Sequence, residues 1–238
     1  MKNTRIIILC GGRGKRLGNI TKQIPKPLVK LGNKPILDHK LEYYNSQNFS
    51  DFIFCLGYKA EILIRHLKRL GINGQFSDTG ENTGMLKRIY CVRESFSDQV
   101  IISYGDTYAE IDFKDLIDKH VKSKAKLTLV AASIENPFGL IEWDKTNKVI
   151  GFKEKPILNH YIGYAVMDSD LFNYIPKELI DLPNGQGIVK TIHYLTNKGL
   201  VNAYKFDGLQ LTVNTNEELE YANDKIGKYY TLRESNEK

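Results

Sequence analysis

The chain has no apolar run approaching the roughly 20 residues that a membrane-spanning helix requires, so nothing in it reads as a transmembrane segment. The opening residues, Met1 to Gly12, are apolar over too short a stretch and are broken too early by glycine to act as a signal peptide, and a cytoplasmic protein is expected. Cysteine is scarce. Cys10, Cys55 and Cys91 form an odd set without CxxC spacing, which argues against a disulfide framework and against a zinc knuckle. They are expected to be small buried hydrophobes in strands. No Pro/Gly/Ser-rich linker and no internal repeat divides the 238 residues, so the chain is read as a single domain. Two halves are read within it, about 1–125 and, with a closing helix, about 126–238.

The most informative absence is that of acidic side chains from one segment. Between Gly11 and Leu37 there is no Asp or Glu, while Arg13, Lys15, Arg16, Lys22, Lys26, Lys30 and Lys34 give the segment a charge of +7. The whole chain carries +6, so the remainder sums to −1. A nucleic-acid binder would need an extended basic surface with exposed aromatics, and a basic tail would be low in complexity. This segment instead interleaves its charges with Gly, Pro, Leu and Ile directly after a strand, which points to a small, highly charged ligand. No nucleic-acid or membrane partner is expected.

What is present reads as an α/β chain. Arg5–Leu9 is a mostly β-branched run closed by glycines, the pattern of a strand buried on both faces. Asn33 is expected to cap a helix starting at Lys34 with Pro35 in its first turn. Phe52–Leu56 and Val100–Ser103 read as further strands, Lys59–Leu70 as a helix, and Phe113, Leu116, Ile117, His120 and Val121 as one buried helical face. Such alternation predicts a Rossmann-like doubly wound sheet, mixed but mostly parallel, with ligands at the carboxyl ends of its strands. From Leu127 the pattern turns strand-rich (127–132, 140–143, 149–152, 161–167), which is expected to extend the sheet and add a lid. Leu219, Ala222, Ile226 and Tyr229 mark the closing helix. His39, His66, His120 and His193 fall on predicted helices and are read as packing or solvated residues.

The chemistry starts at Leu9-Cys-Gly-Gly-Arg-Gly-Lys-Arg-Leu17. Gly11, Gly12 and Gly14 let backbone N–H groups approach a phosphate chain, and Arg16 can fork onto a phosphate. The spacing fits neither GxxxxGK[ST] nor GxGxxG. It continues as Ile24-Pro-Lys-Pro-Leu28 and Leu31-Gly-Asn-Lys-Pro-Ile36. With GGxGxRL, PKP and GxKPI in this order, the chain resembles the sugar-nucleotide pyrophosphorylase (nucleotidyltransferase) family. Ser77-Asp-Thr-Gly80, Thr83-Gly84, Leu86-Lys-Arg88 and Tyr104-Gly-Asp106 are most similar to its glucose-1-phosphate cytidylyltransferase branch. Phe138-Gly139, Phe152-Lys-Glu-Lys-Pro156 and Gly163-Tyr164 recur in the family's order, and the match runs from about Arg5 to Glu220.

The resemblance implies a nucleotide-diphospho-sugar transferase fold. It also implies transfer of a nucleoside monophosphate, CMP from CTP, to a small phosphorylated acceptor with release of pyrophosphate. By matching positions, Leu9, Gly11, Gly12, Arg13, Gly14, Arg16, Lys26, Thr83, Gly84 and Asp106 would bind the nucleotide. Arg16, Lys26 and Asp106 would be the catalytic groups. Lys26, Gly139, Glu154, Lys155, Gly163 and Tyr164 would bind the acceptor, and Asp106 would bind Mg²⁺. The family's second carboxylate is missing: Thr212 and Asn214 stand where it is expected, so Asn214, Asp207 or the phosphates alone would complete the metal site. The acceptor segment departs as well, reading His160-Tyr161-Ile162 where relatives place Asn-Gly. An apolar pocket is expected there, with glucose 1-phosphate a poor acceptor and selection resting on Phe138, Gly139, Glu154 and residues 160–164. His160 is read as a loop residue rather than a base. The leading expectation is a modified sugar 1-phosphate for surface-glycan assembly. The alternatives are a phosphorylated amine or amino acid as acceptor, or a catalytically silent nucleotide-binding partner subunit. A homo-oligomer is possible on this reading.

Overall fold

A computed structural model of the chain describes the backbone of residues 4–236 and the side chains of residues 4–229. In chain order the elements are β1 (Arg5–Leu9), α1 (Asn19–Gln23), β2 (Lys30–Leu31), β3 (Lys34–Pro35), α2 (Ile36–Ser46), β4 (Phe52–Leu56), α3 (Ala60–Arg69), β5 (Gly74–Asp78) and α4 (Met85–Cys91). They continue as β6 (Gln99–Tyr104), β7 (Thr107–Ala109), α5 (Phe113–Ser123), β8 (Leu127–Glu135), β9 (Leu140–Trp143), β10 (Val149–Lys153), β11 (Ile157–Asp168), α6 (Gln186–Asn197), β12 (Val201–Phe206), β13 (Gln210–Thr212) and α7 (Asn216–Asn236). Among the described residues no helix is long and apolar enough to cross a membrane.

Seven strands form one mixed sheet in the order β12-β8-β11-β6-β1-β4-β5, and only β11 runs against the others. The fold is thus the mixed, mostly parallel sheet expected, and strands from both halves of the chain share it. Alternation along each strand divides the apolar residues between two layers. Ile6, Ile8, Phe52 and Phe54 face a core shared with Leu37, Leu41 and Tyr44 of α2, Leu63 of α3 and Phe113 of α5. Ile7, Ile53, Val100 and Ile102 face the other core, with Leu86 and Ile89 of α4 and Leu195 of α6. A third cluster, including Leu31, Ile36, Tyr108, Leu211 and Ile226, seats α7 beside the sheet.

Several boundaries differ from the sequence expectation. Gly32 and Asn33 turn a small hairpin between β2 and β3, so Asn33 caps no helix; α2 begins at Ile36, after Pro35. Strand β11 extends to twelve residues. Helix α6 and strand β12, which the sequence reading passed over, cover one face and one edge of the sheet. Cys10 and Cys55 are buried as expected, whereas Cys91 is exposed at the end of α4. His39 and His120 are buried, bonded to the Leu31 carbonyl and to Thr128 and Asp168 respectively; His193 is exposed.

One core residue is charged. Lys40 on α2 is fully buried, donates to the Thr107 carbonyl and the Tyr164 hydroxyl, and lies 4.3 Å from the Tyr164 ring centroid. Burial disfavours its ammonium and lowers its pKa from the ordinary 10.5 to about 7, although Asp106 pulls the other way. Above pH 7 the unfolded chain therefore holds a proton that the folded chain releases, so the lysine's cost is full at low pH and fades as pH rises toward 10.5. The Tyr164 hydroxyl also donates to the Thr107 carbonyl, at 2.8 Å, so a substitution at Lys40 leaves both oxygens partnered. Lys40→Met is expected to be about 1–4 kcal/mol more stable than the wild type near pH 6.5. Urea titrations should show that advantage shrinking by up to about 1.4 kcal/mol per pH unit on going to pH 9.5; parallel profiles would mean that Lys40 does not titrate in the fold.

Candidate active site

The chain leaves β1, passes outward through β4 and β5, and then crosses back to place β6 on the other side of β1. At such a reversal the connections diverge and leave a crevice at the carboxyl ends of the strands. Leu9 and Tyr104 end these two strands in register, and the Gly105 N–H bonds the Leu9 carbonyl at 3.1 Å. A cavity of about 690 Å³ opens there, lined by Leu9–Lys15, Lys26, Glu81, Thr83, Arg88, Tyr104, Asp106 and the 183–185 turn, among others.

The glycine loop bends because Gly14 adopts φ 59°, a conformation costly for side-chain-bearing residues. A Cβ at Gly14 would also press on the Lys26 stem. Lys26 follows Pro25 in a short turn and reaches into the crevice. Its ammonium lies 2.5 Å from Asp106 Oδ2 and 2.8 Å from Asn214 Oδ1, and Arg16 donates to the same Asn214 oxygen at 2.9 Å. Residues 108 positions apart meet through a small antiparallel pairing. Thr107 of β7 stands opposite Thr212 of β13, which sets Asp106 beside Val213 and Asn214. Asn214 is fixed further by its N–H, which donates to Glu218 at 2.6 Å in the first turn of α7. Asn214 and Asp106 share the Lys26 ammonium, whereas Asp207 is exposed and paired with Lys205.

A second cation organises the opposite wall. Arg88 on α4 is buried, with its guanidinium donating to the carbonyls of Leu56 and Gly80 and to the Thr79 hydroxyl; Gly11 and Glu81 carbonyls lie at 3.5 and 3.4 Å. It thereby ties the glycine loop to the 79–81 turn. The sequence assigns Arg88 no task, since nothing in helical spacing separates a buried arginine from a solvated one. Gly84 begins α4 where the Leu182 carbonyl leaves no room for a Cβ, and the Met85 N–H bonds the Asn184 carbonyl at 2.7 Å. Residues 183–185, unmarked in the sequence reading, are thus held against the rim. Arg13 pairs with Glu81 at 2.6 Å across the mouth. Cys10 lines the cavity, yet burial and the neighbouring Cys55 push its thiol far above its usual range, so it is not a thiolate nucleophile.

The family model described as "Nucleotidyl transferase" matches residues 5–226. The chain belongs to that family. Among relatives of this nucleotidyltransferase, a probable glucose-1-phosphate cytidylyltransferase of Bacillus subtilis is 29% identical over 73% of this chain and 78% of its own length. A D-glycero-alpha-D-manno-heptose 1-phosphate guanylyltransferase of Campylobacter jejuni is 32% identical over 70% of this chain and 77% of its own. A mannose-1-phosphate guanyltransferase of Yarrowia lipolytica is also 32% identical, over 74% of this chain and 51% of its own. In fold, the solved structure of HddC from Yersinia pseudotuberculosis superposes with a TM-score of 0.73 at 22% identity, covering 94% of this chain and 99% of that one.

The acceptor-side expectations fare differently. Ile162 and Tyr164 share strand parity with Val166, so all three side chains enter the core, and Tyr164 is fully buried. Neither side chain lines an acceptor pocket, and the argument that these residues make glucose 1-phosphate a poor acceptor falls with them. Tyr161 turns to the opposite core and stacks edge-on against Tyr104, which Gly163 also abuts. Gly139, Glu154 and Lys155 do not line the cavity either; they sit where an exposed ribbon, β9–β10, leaves the sheet. His160 is half-buried, with an unpartnered Nδ1.

Replacing Arg88 by Lys keeps the charge and loses the fork. With hydrogen bonds to charged groups at about 1.5–3 kcal/mol each, Arg88→Lys is expected to weaken nucleoside triphosphate binding at least tenfold in titration calorimetry and to lower the melting temperature. Unchanged affinity in a folded variant would reduce Arg88 to a packing residue.

Proposed function

We propose that this nucleotidyltransferase moves a nucleoside monophosphate from a nucleoside triphosphate to a sugar 1-phosphate and releases pyrophosphate. The observation that carries the reading is the Lys26 ammonium, held between Asp106 and Asn214 in the cavity that the glycine loop lines. Its relatives named above act, by their names, on glucose, mannose and heptose 1-phosphates.

In this reading an oxygen of the acceptor phosphate attacks the α-phosphorus, a P–O bond forms, and the bond to the pyrophosphate oxygen breaks. The attacking phosphate is already anionic, so no general base is required. Catalysis then consists of aligning two polyanions and neutralising charge as it grows. The Gly11–Gly14 backbone and Arg16 hold the triphosphate, Lys26 bridges the α-phosphate and the acceptor phosphate, and Lys155 with Glu154 receives the acceptor from the base of the ribbon.

The residues present fit a magnesium ion. Asp106 and Asn214 already aim two oxygens at one cation, and Mg²⁺ is commonly held by one or two carboxylates together with substrate phosphates. When bound, Mg²⁺ would neutralise phosphate charge. We assign the base as cytosine, on the Ser77–Gly80 and Thr83–Arg88 segments that resemble cytidylyltransferases. GTP is the second reading, favoured by the guanylyltransferase names of relatives at 32% identity.

Asp106→Asn is expected to lower turnover by at least about two orders of magnitude, and Lys26→Ala to lower kcat more than it raises the nucleotide KM. Pyrophosphate release with Mg²⁺ and sugar 1-phosphates measures both, and normal turnover by a folded Asp106→Asn would remove it from the mechanism. With CTP and GTP in competition over the same acceptors, CMP transfer should dominate. Preferred GMP transfer would retain the chemistry and reverse the base assignment.

A further inference from the structure

Two carboxylates line the cavity among the described residues, Asp106 and Glu81. Asp106 has a place in the proposed reaction; Glu81 has none. In a crevice that attracts polyanions a second acid repels the ligand, so its presence calls for a reason. Arg13 of the glycine loop offsets the charge, pairing with Glu81 at 2.6 Å while both side chains stay about half exposed. The backbone under Glu81 is fixed. Gly80 takes φ 81°, its N–H donates to Asp78 Oδ1 at 3.0 Å, and the Thr83 hydroxyl donates to the Thr79 carbonyl. Arg88 holds the Gly80 carbonyl at 2.7 Å.

Phosphates drawn to Lys26, Arg16 and the glycine loop leave the opposite wall, where Glu81 stands, to the nucleoside. The strongest donor of that wall is already engaged: the Arg88 guanidinium is turned to the Leu56 and Gly80 carbonyls and the Thr79 hydroxyl. An ionised carboxylate can only accept. The bases differ in that respect. Cytosine and guanine carry exocyclic amines, which donate, whereas uracil and thymine present a carbonyl oxygen where cytosine has its amine. Against that oxygen a carboxylate sets like charge and makes no hydrogen bond.

We propose that Glu81 is a base-specificity residue, which accepts a hydrogen bond from the exocyclic amine of the base and turns away uracil and thymine. The inference rests on the nucleotidyl transfer proposed above and adds to it the class of base. Arg13 is the positioning residue of the pair, holding the carboxylate toward the cavity and screening it from the triphosphate. Glu81 does not choose between cytosine and guanine, and adenine, which also carries an amine, is not turned away by this contact. A hydrogen bond to a charged group corresponds to roughly 10- to 100-fold in affinity, and a site that pairs with a donor rejects the analogue lacking it strongly.

Titration calorimetry and pyrophosphate release on the full chain, with CTP, GTP, UTP and dTTP, test the assignment. The better of CTP and GTP should exceed UTP and dTTP by at least about 100-fold. Glu81→Gln, which puts an amide N–H where a carboxylate oxygen stood, should narrow that ratio at least about tenfold. Removing the amine from the base gives the matching change in the ligand: pyrimidin-2-one riboside triphosphate for CTP, or ITP for GTP. That change should cost the wild type at least about tenfold and the variant less than about threefold. A wild type that prefers UTP or dTTP would overturn the proposal, as would a variant that weakens every triphosphate alike. Preferred GTP would reverse the cytosine assignment and leave Glu81 in its role. Binding ratios as expected without pyrophosphate release would remove the reaction and keep the base contact. Should Glu81→Gln fail to fold, the analogue series on the wild type decides alone.

Discussion

The ammonium of Lys26, lying between Asp106 and Asn214, joins three segments that are far apart in the chain. The glycine loop and its following turn bring the lysine, the end of β6 brings the aspartate, and the entry to α7 brings the asparagine. Each arrives only if a piece of the fold is correct: the sheet order that sets β6 beside β1, and the three-residue pairing of β7 with β13. With a neutral amide in place of a second carboxylate, the lysine and Asp106 balance in charge, and Arg16 adds a positive charge on Asn214. The crevice is thus biased toward polyanions, and the acid-free run from Gly11 to Leu37 is the sequence expression of that bias.

Two further cations frame this centre from beneath. Arg88 ties the glycine loop to the 79–81 turn through carbonyl oxygens, converting flexible backbone into a fixed wall. Lys40 sits under the Asp106 turn, bonded to the carbonyl of the next residue, Thr107. A buried lysine is expensive, and burial lowers its pKa to about 7, so it places positive potential below the aspartate only while it keeps its proton, on the acid side of that value. The site is therefore built on charge held by the interior as well as on charge reaching in from loops.

Much of this was legible in the sequence. Strand β1, the glycine loop and Asp106 could be read because buried parallel strands are continuous apolar runs and glycine marks their ends. Lys26 could be read through its motif. Asn214 could be named only as a candidate, since β7 and β13 are too short to show a period, and it is their pairing that brings it to Lys26 and Asp106. The acceptor side was misread at Ile162 and Tyr164. A stretch such as Tyr161-Ile-Gly-Tyr-Ala-Val-Met167 is apolar at both parities, so nothing local says which parity faces a pocket; the structure gives even numbers to one core and odd numbers to the other. Strands β9 and β10 were recognised, yet their lack of a covering layer is a tertiary fact that strand patterning does not carry.

In the proposed reaction two phosphates aligned on Lys26 react directly, with no protein group bonded to phosphorus on the way. Cys10, the thiol that lines the cavity, is held protonated by burial, which agrees with direct displacement. Transfer from a nucleoside α-thiotriphosphate of known configuration at phosphorus tests the claim most directly. A single in-line displacement predicts a product with inverted configuration; retention would require two displacements through a covalent enzyme intermediate and would contradict it.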